Sequence, residues 1–261
     1  MLKKISLVVL MCLAAAAVNA NLVAYYSFDN AASLVTDDSG NGSDLQNNQG
    51  NPAAATSGQV NGAAYFDGVD DLYDIKLSDT DPAIYPDGAF SVSTWVRPDT
   101  TASGVAVSRP AASNSGGFAL ITDGTPATWR VTVYPDYDQV NSGVQVAAEQ
   151  WAHIVYTFAP DGAGVDGLYN GTASLYVDGT LANSGTAAYQ QGGFRFGLGG
   201  RGNNSAFFGG AIDEFAIFGS ALTADEVAGL ADGTYTPITV PEPATMLLVG
   251  VGMLFGRTRR S

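Results

Sequence analysis

The sequence predicts an all-β protein, and three observations carry that prediction. Short apolar or alternating runs recur between clusters of Gly, Asn, Asp and Pro along nearly the whole body of the chain, the pattern of strands separated by turns. Strand and helix patterns never alternate, so the βαβ units of a parallel sheet are excluded. One segment alone has a helix start signal: Thr223-Ala224-Asp225-Glu226 is a capping box, with Val227 and Leu230 as the buried face behind it. Many short strands and one short C-terminal helix make a sandwich or a barrel.

Each expected strand has a local reason. Residues 22–28 open the body with an apolar and aromatic run. The runs 63–66, 72–77 and 89–96 follow, the last alternating Phe90, Val92 and Val96 with Ser91 and Ser93. Residues 105–108, 118–121 and 128–134 are rich in the β-branched and aromatic types that suit a pleated, half-buried surface. The same holds for 151–158, 173–177, 194–198 and 211–218. Asp178-Gly179, between Val177 and Thr180, reads as a type I′ hairpin turn. Residues 231–243 read as a linker, because Pro237, Pro241 and Pro243 block regular structure. No repeat and no second domain is visible.

The two ends read as address labels. In residues 1–20, Lys3 and Lys4 precede an apolar run, and Val18-Asn19-Ala20 supplies small residues for signal-peptidase cleavage. Toward the other end, Pro241-Glu242-Pro243 precedes the apolar run 244–256, and Arg257, Arg259 and Arg260 follow. Thirteen residues make roughly 20 Å of helix at ~1.5 Å each, short of the ~20 residues that cross a bilayer core. A transient processing signal fits better than a permanent anchor. This order of features closely resembles the PEP-CTERM sorting tail of Gram-negative bacteria, here residues 237–261. The resemblance implies recognition and cutting by an exosortase-type membrane protease. It also implies transient inner-membrane association through 244–256 and delivery to the cell surface or extracellular matrix.

Between these ends, residues 21–236 hold six basic residues against 24 acids, a formal charge of −18. Such a surface repels nucleic acid and anionic headgroups, whose binding is driven by basic patches. Nucleic-acid binding is excluded. Of the 24 acids, 21 are Asp, a residue that favours turns and oxygen-ligand cation sites over helices. The one cysteine, Cys12, lies inside the signal segment, which removes disulfides, thiolate metal sites and a thiol nucleophile from the body.

A series of motifs in the body has a recognisable order. Tyr25-Tyr26-Ser27-Phe28-Asp29 opens it, then Asp37-Asp38-Ser39-Gly40-Asn41-Gly42 and Tyr65-Phe66-Asp67-Gly68. Phe90 to Pro98, Trp151-Ala152-His153-Ile154-Val155 and Leu175 to Gly179 come next. Ala211-Ile212-Asp213-Glu214-Phe215 and the capping box close the series. In this order they resemble the LamG-like domains of the concanavalin A-like lectin/glucanase superfamily, over nearly all of residues 21–231. The resemblance implies a two-sheet antiparallel jelly-roll sandwich, often with one structural calcium. It implies no particular chemistry, since the fold hosts lectins, glycanases and adhesion modules alike.

Calcium takes six to eight oxygens converging from a turn, and the 37–42 string offers carboxylates, Ser and Asn between flexible glycines. The same string also reads as an ordinary Asx turn. The resemblance carries Asp37, Asn41 and Asp213 over as calcium ligands, with Asp38 in reserve. Asp67, Asp70 and Asp71 form a second acidic turn, read as a solvated hairpin.

No catalytic residue is assigned. A glycanase needs two carboxylates flanking one bond, and the Glu-x-Asp-x-x-Glu strand of this superfamily's glucanases does not occur. Asp213 and Glu214 are strand neighbours, expected to face opposite ways. His153, the only histidine, reads as a packed, hydrogen-bonded core residue. A sugar site pairs aromatic faces with polar hydrogen-bonders. Trp129, Arg130, Tyr137, Arg201 and Asn203 are the candidates, with Tyr189 and Gln190 as possible additions, while Trp95 and Trp151 are expected to fill the sandwich. The expected function is an exported, non-catalytic surface or matrix module that recognises extracellular polysaccharide. The alternatives are a structural or adhesive protein with a protein partner and, third, a glycoside hydrolase.

Overall fold

A computed structural model describes residues 21–55, 57–75, 88–102, 104–110, 116–190, 196–201 and 204–241. The signal segment, Asn203, and the sorting residues Glu242, Pro243, Arg257, Arg259 and Arg260 lie outside them. The described chain is two antiparallel sheets packed face to face. The larger sheet runs β13(Thr180–Gln190), β12(Leu168–Val177), β11(Ala152–Pro160), β6(Phe90–Pro98), β15(Gly209–Phe218), β4(Ala63–Asp67) and β3(Ala53–Ala55), with β1(Leu22–Tyr26) also paired to β15. The smaller runs β10(Asp138–Gln145), β9(Ala127–Tyr134), β8(Gly117–Gly124), β7(Gly104–Pro110), β14(Phe196–Leu198), β5(Leu72–Ile75) and β2(Gln46–Gln49). Strands distant in sequence are neighbours, as β6 and β15 are, which is the crossed connectivity of a jelly roll.

Alternation decides what enters the core. On β6, Phe90, Val92 and Val96 point between the sheets. On β9, Trp129, Val131 and Val133 do the same. Phe90 is the hub, with ring centroids 5.6 Å from Phe118, 5.5 Å from Tyr156 and 5.0 Å from Tyr189. Asp178 and Gly179 join β12 to β13 with φ of 49° and 77°, as a type I′ turn requires.

A second apolar cluster lies on the outer face of the larger sheet. The helix α1(Ala224–Ala231) seats Val227 and Leu230 over Tyr25, Val155, Tyr176 and Phe218. Its capping box is formed: Glu226 N donates to Thr223 Oγ1 at 3.3 Å, and Thr223 N donates to Glu226 Oε2 at 2.7 Å.

Four strands have no counterpart in the expected pattern, or only a stub: β2, β3, β10 and β13. They are the four ends of the two sheet orders. An edge strand buries little, so its sequence is free of apolar alternation; β2 reads Gln-Asn-Asn-Gln.

Candidate functional site

The outer face of the smaller sheet gathers three of the residues nominated from sequence. On β9, Thr128, Arg130, Thr132 and Tyr134 alternate with the core-facing residues and so point outward. Val105, Ala119, Ile121 and Tyr134 form a separate apolar cluster on this face. Tyr137, in the turn from β9 to β10, packs edge-on against Tyr134 at 4.9 Å between centroids and is 53% exposed. Beside this strip lies a cavity of about 180 Å³, lined by Val105, Ile121, Asp123, Arg130 and Arg201 among others. Arg130 is ion-paired with Asp123 and donates Nη1 to Gln139 Oε1 at 3.4 Å. Arg201 is placed by a tight turn in which its N donates to Ser205 O at 2.9 Å.

Trp129 does not belong to this site. It is 2% exposed inside the core, because adjacent strand residues face opposite sides and Arg130 takes the outward position. Tyr189 is likewise fully buried, against Phe90 and Phe158. Trp95 and Trp151 differ in the other direction: both are only half-buried. Trp95 lies outward on β6, tilted against His153 at 5.0 Å, and the Arg97 guanidinium lies 5.8 Å above the Trp151 ring.

His153 is sealed, as a packed histidine should be, but on the outer side of the larger sheet. Its Nε2 shares a 2.9 Å hydrogen bond with Ser93 Oγ, and its Nδ1 has no partner. Burial pushes its pKa down to about 4.

The acidic loop is organised by its own hydrogen bonds. Asp37 Oδ1 accepts from Tyr25 N at 3.1 Å and Ser39 N at 3.0 Å, and Oδ2 accepts from Ser43 N at 2.9 Å. The Ser39 bond is an Asx turn. Asn41 Nδ2 donates to the carbonyls of Leu22 and Val23, both at 3.0 Å, pinning the loop to β1. Asp38 turns the other way and accepts from Ser27 N and Oγ.

Asp213 and Glu214 depart from the expected alternation. The β15–β6 register shifts between Asp213 and Ala216, and Glu214 has φ of 49°. This bulge sets two residues between inward-facing Ile212 and Phe215, so both carboxylates fall on the outer side. Asp213 accepts from Val60 N and Glu214 N, at 2.9 and 2.8 Å. Glu214 Oε1 accepts from Tyr25 Oη at 2.8 Å. Burial raises the pKa of each to about 7. The charges of Asp29 and Asp38 add to the rise at Glu214. Asp29 was not anticipated; only its place after the first strand marks it. Asp67, Asp70 and Asp71 are the one group of three acids among the described residues whose oxygens lie within 4.8 Å of one another. Their carboxylates accept main-chain N–H groups from Val69, Asp70, Asp67 and Asn51.

Comparison with known proteins places the fold. The family model for the concanavalin A-like lectin/glucanases superfamily matches residues 70–228, and the PEP-CTERM protein-sorting motif matches residues 239–260. No curated protein matches in sequence. Among solved structures, domain 4 of AbnA is similar; it belongs to a GH43 extracellular arabinanase from Geobacillus stearothermophilus and was solved with arabinotriose. The identity is 24% and the TM-score 0.59, covering 80% of this chain and 98% of that one. The botulinum neurotoxin type G receptor binding domain is 17% identical at TM-score 0.59, over 82% of this chain and 51% of that one. The binding domain of Paraclostridial Mosquitocidal Protein 1 is 16% identical at TM-score 0.58, over 82% and 52%. At such identities the likeness is one of fold, and this fold occurs in both glycoside hydrolases and binding modules. The chain belongs to the concanavalin A-like lectin/glucanase superfamily and carries the PEP-CTERM sorting motif of an exported protein.

Proposed function

We propose that this protein is a non-catalytic module that recognises extracellular polysaccharide through the outer face of its smaller sheet. The observation that carries the reading is an apolar strip on this face, with Arg130 and Arg201 lining a cavity beside one end and the exposed Tyr137 on Tyr134 at the other. Guanidinium groups hydrogen-bond ring hydroxyls, and aromatic and aliphatic surface covers the apolar face of a sugar. The similar arabinanase domain was solved with an arabinose oligosaccharide, which agrees with this reading. The sorting motif directs the module, by its resemblance, to an exosortase and then to a Gram-negative surface or matrix.

A structural calcium is part of the proposal. The carboxylates that would hold it are Asp213 and Glu214 at the β15 bulge with Asp29 and Asp38, whose charges reach Glu214. Their oxygens are not gathered as those of Asp67, Asp70 and Asp71 are, so the ion would have to draw them in. The one ion pair among the described residues, Arg130–Asp123, lies elsewhere. Hard oxygen donors without a basic partner fit a calcium ion, with Asp37 and Asn41 shaping the loop beside them. Without a cation, Asp213 and Glu214 keep protons to about pH 7 in the folded chain. Stability then falls as pH rises from the ordinary carboxylate range through 7. EDTA is therefore expected to lower the melting temperature more at pH 8 than at pH 5; no change at either pH removes calcium from the proposal.

The test of the whole reading is retention of the purified full chain on immobilised polysaccharides, neutral and acidic. Retention weakened by Tyr137→Ala, without release of reducing sugar, supports glycan recognition. Sugar release lost on an Asp→Asn change would make the protein a hydrolase. No retention on any glycan favours an adhesive role with a protein partner, a reading that agrees with the likeness to receptor-binding toxin domains.

A further inference from the structure

The cavity beside Arg130 has a charge that the body does not share. Residues 21–236 carry a formal charge of −18, yet two arginines line this one small space. The two differ in what holds them. Asp123 offsets the charge of Arg130 through their ion pair. Arg201 has neither an ion pair nor a side-chain hydrogen bond among the described residues, and its Nε is sealed from solvent without a partner. The Nε of Arg130 is also buried and unpartnered. The buried Nε is shared by Arg97, away from the cavity, so what calls for an anionic acceptor here is the Arg201 guanidinium, which lines the cavity without an ion pair among the described residues. Among the described residues Asp123 is the one acid in the lining, against two arginines, a net charge of one positive. Val105 and Ile121 make the rest of its wall apolar.

We propose that this cavity takes an acidic sugar, a single uronic-acid ring of an extracellular polysaccharide, and that Arg201 selects it through its carboxylate. The proposal rests on the glycan reading above and names the ligand class for the same face. The planar fork of a guanidinium matches a carboxylate with two parallel hydrogen bonds. The volume, about 180 Å³, is below the roughly 300–1,000 Å³ of sites for larger ligands, so one ring or side group enters rather than an oligosaccharide. Val105 and Ile121 face the ring carbons, and Asp123 holds Arg130 in position. The negative body repels a polyanion at long range. Beyond a Debye length of about 8 Å at 0.15 M salt that repulsion is screened, so selection is to be measured at or above this ionic strength.

The experiment compares the full chain, R201Q and R201K on four immobilised polymers: polygalacturonate, its carboxyl-reduced derivative, dextran sulfate and neutral arabinan. The wild type is expected to bind polygalacturonate at least about tenfold more tightly than the reduced polymer, a difference of ~1.4 kcal/mol. R201Q should lose most of that preference, with its melting temperature reporting that the fold persists, and R201K should restore part of it. Equal binding to polygalacturonate and its reduced form would overturn the uronate inference while leaving glycan recognition standing. Retention on no polymer would overturn both. Preference for dextran sulfate over polygalacturonate would replace the carboxylate by a sulfate, and undiminished selectivity in R201Q would remove Arg201 from the role.

Discussion

Single residues in this fold are governed by which side of a sheet they face. His153 lies under Trp95 with one nitrogen on Ser93 and the other unpartnered, and its burial keeps it neutral down to about pH 4, against an ordinary 6.5. The unfolded chain binds the extra proton between these values. Its contribution to stability is therefore complete above pH 6.5 and lost as pH falls toward 4. His153→Asn is expected to flatten that limb of a melting-temperature profile; an unchanged acid limb would mean that other groups control it. Trp129 and Tyr137 make a second contrast. Trp129→Ala should cost about 3–5 kcal/mol by emptying the core, readable by urea unfolding. Tyr137→Ala, at an exposed position, should stay within ~0.5 kcal/mol while weakening glycan retention.

Elements differ in how plainly their sequences announce them. The central strands carry apolar alternation because both their neighbours and the facing sheet cover them. The four sheet-end strands do not, and β10 reads Asp-Gln-Val-Asn-Ser-Gly-Val-Gln with only two inward-type residues. The helix α1 was legible because its signal is local: a cap, a reciprocal Glu, and two apolar residues on one face. Its partner surface was not, since Tyr25, Val155 and Phe218 come from three strands far apart in sequence. Thr223→Ala should cost about 1 kcal/mol through the lost cap, or ~2–4 °C in melting temperature for a chain of this size. Leu230→Ala, emptying the joint between helix and sheet, should cost about 2–5 kcal/mol. Equal costs for the two would mean that the helix is held by its cap rather than by its buried face.

The molecule as a unit combines an acidic sandwich with an export address. The processing prediction follows from the tail: in a host with the protease, mass spectrometry of the extracellular form should find the 244–256 segment and the arginines removed. A membrane-bound chain with its C-terminus intact would sink that reading.

The fold class, the capping box, the Asp178-Gly179 turn and the sorting motif were all readable from the chain, because each rests on short-range chemistry or on a motif order. The candidate glycan face was half readable. Arg130, Tyr137 and Arg201 were nominated for their chemical type, but Trp129 was placed beside Arg130 although strand parity sends it into the core. The opposite error arose at Asp213 and Glu214, where a bulge puts both carboxylates on one side and strict alternation would have separated them. Which face looks outward depends on register and on the sheet opposite, and the one extra residue of a bulge reverses it. Those are long-range facts of packing, so they appear only once the two sheets are laid against each other.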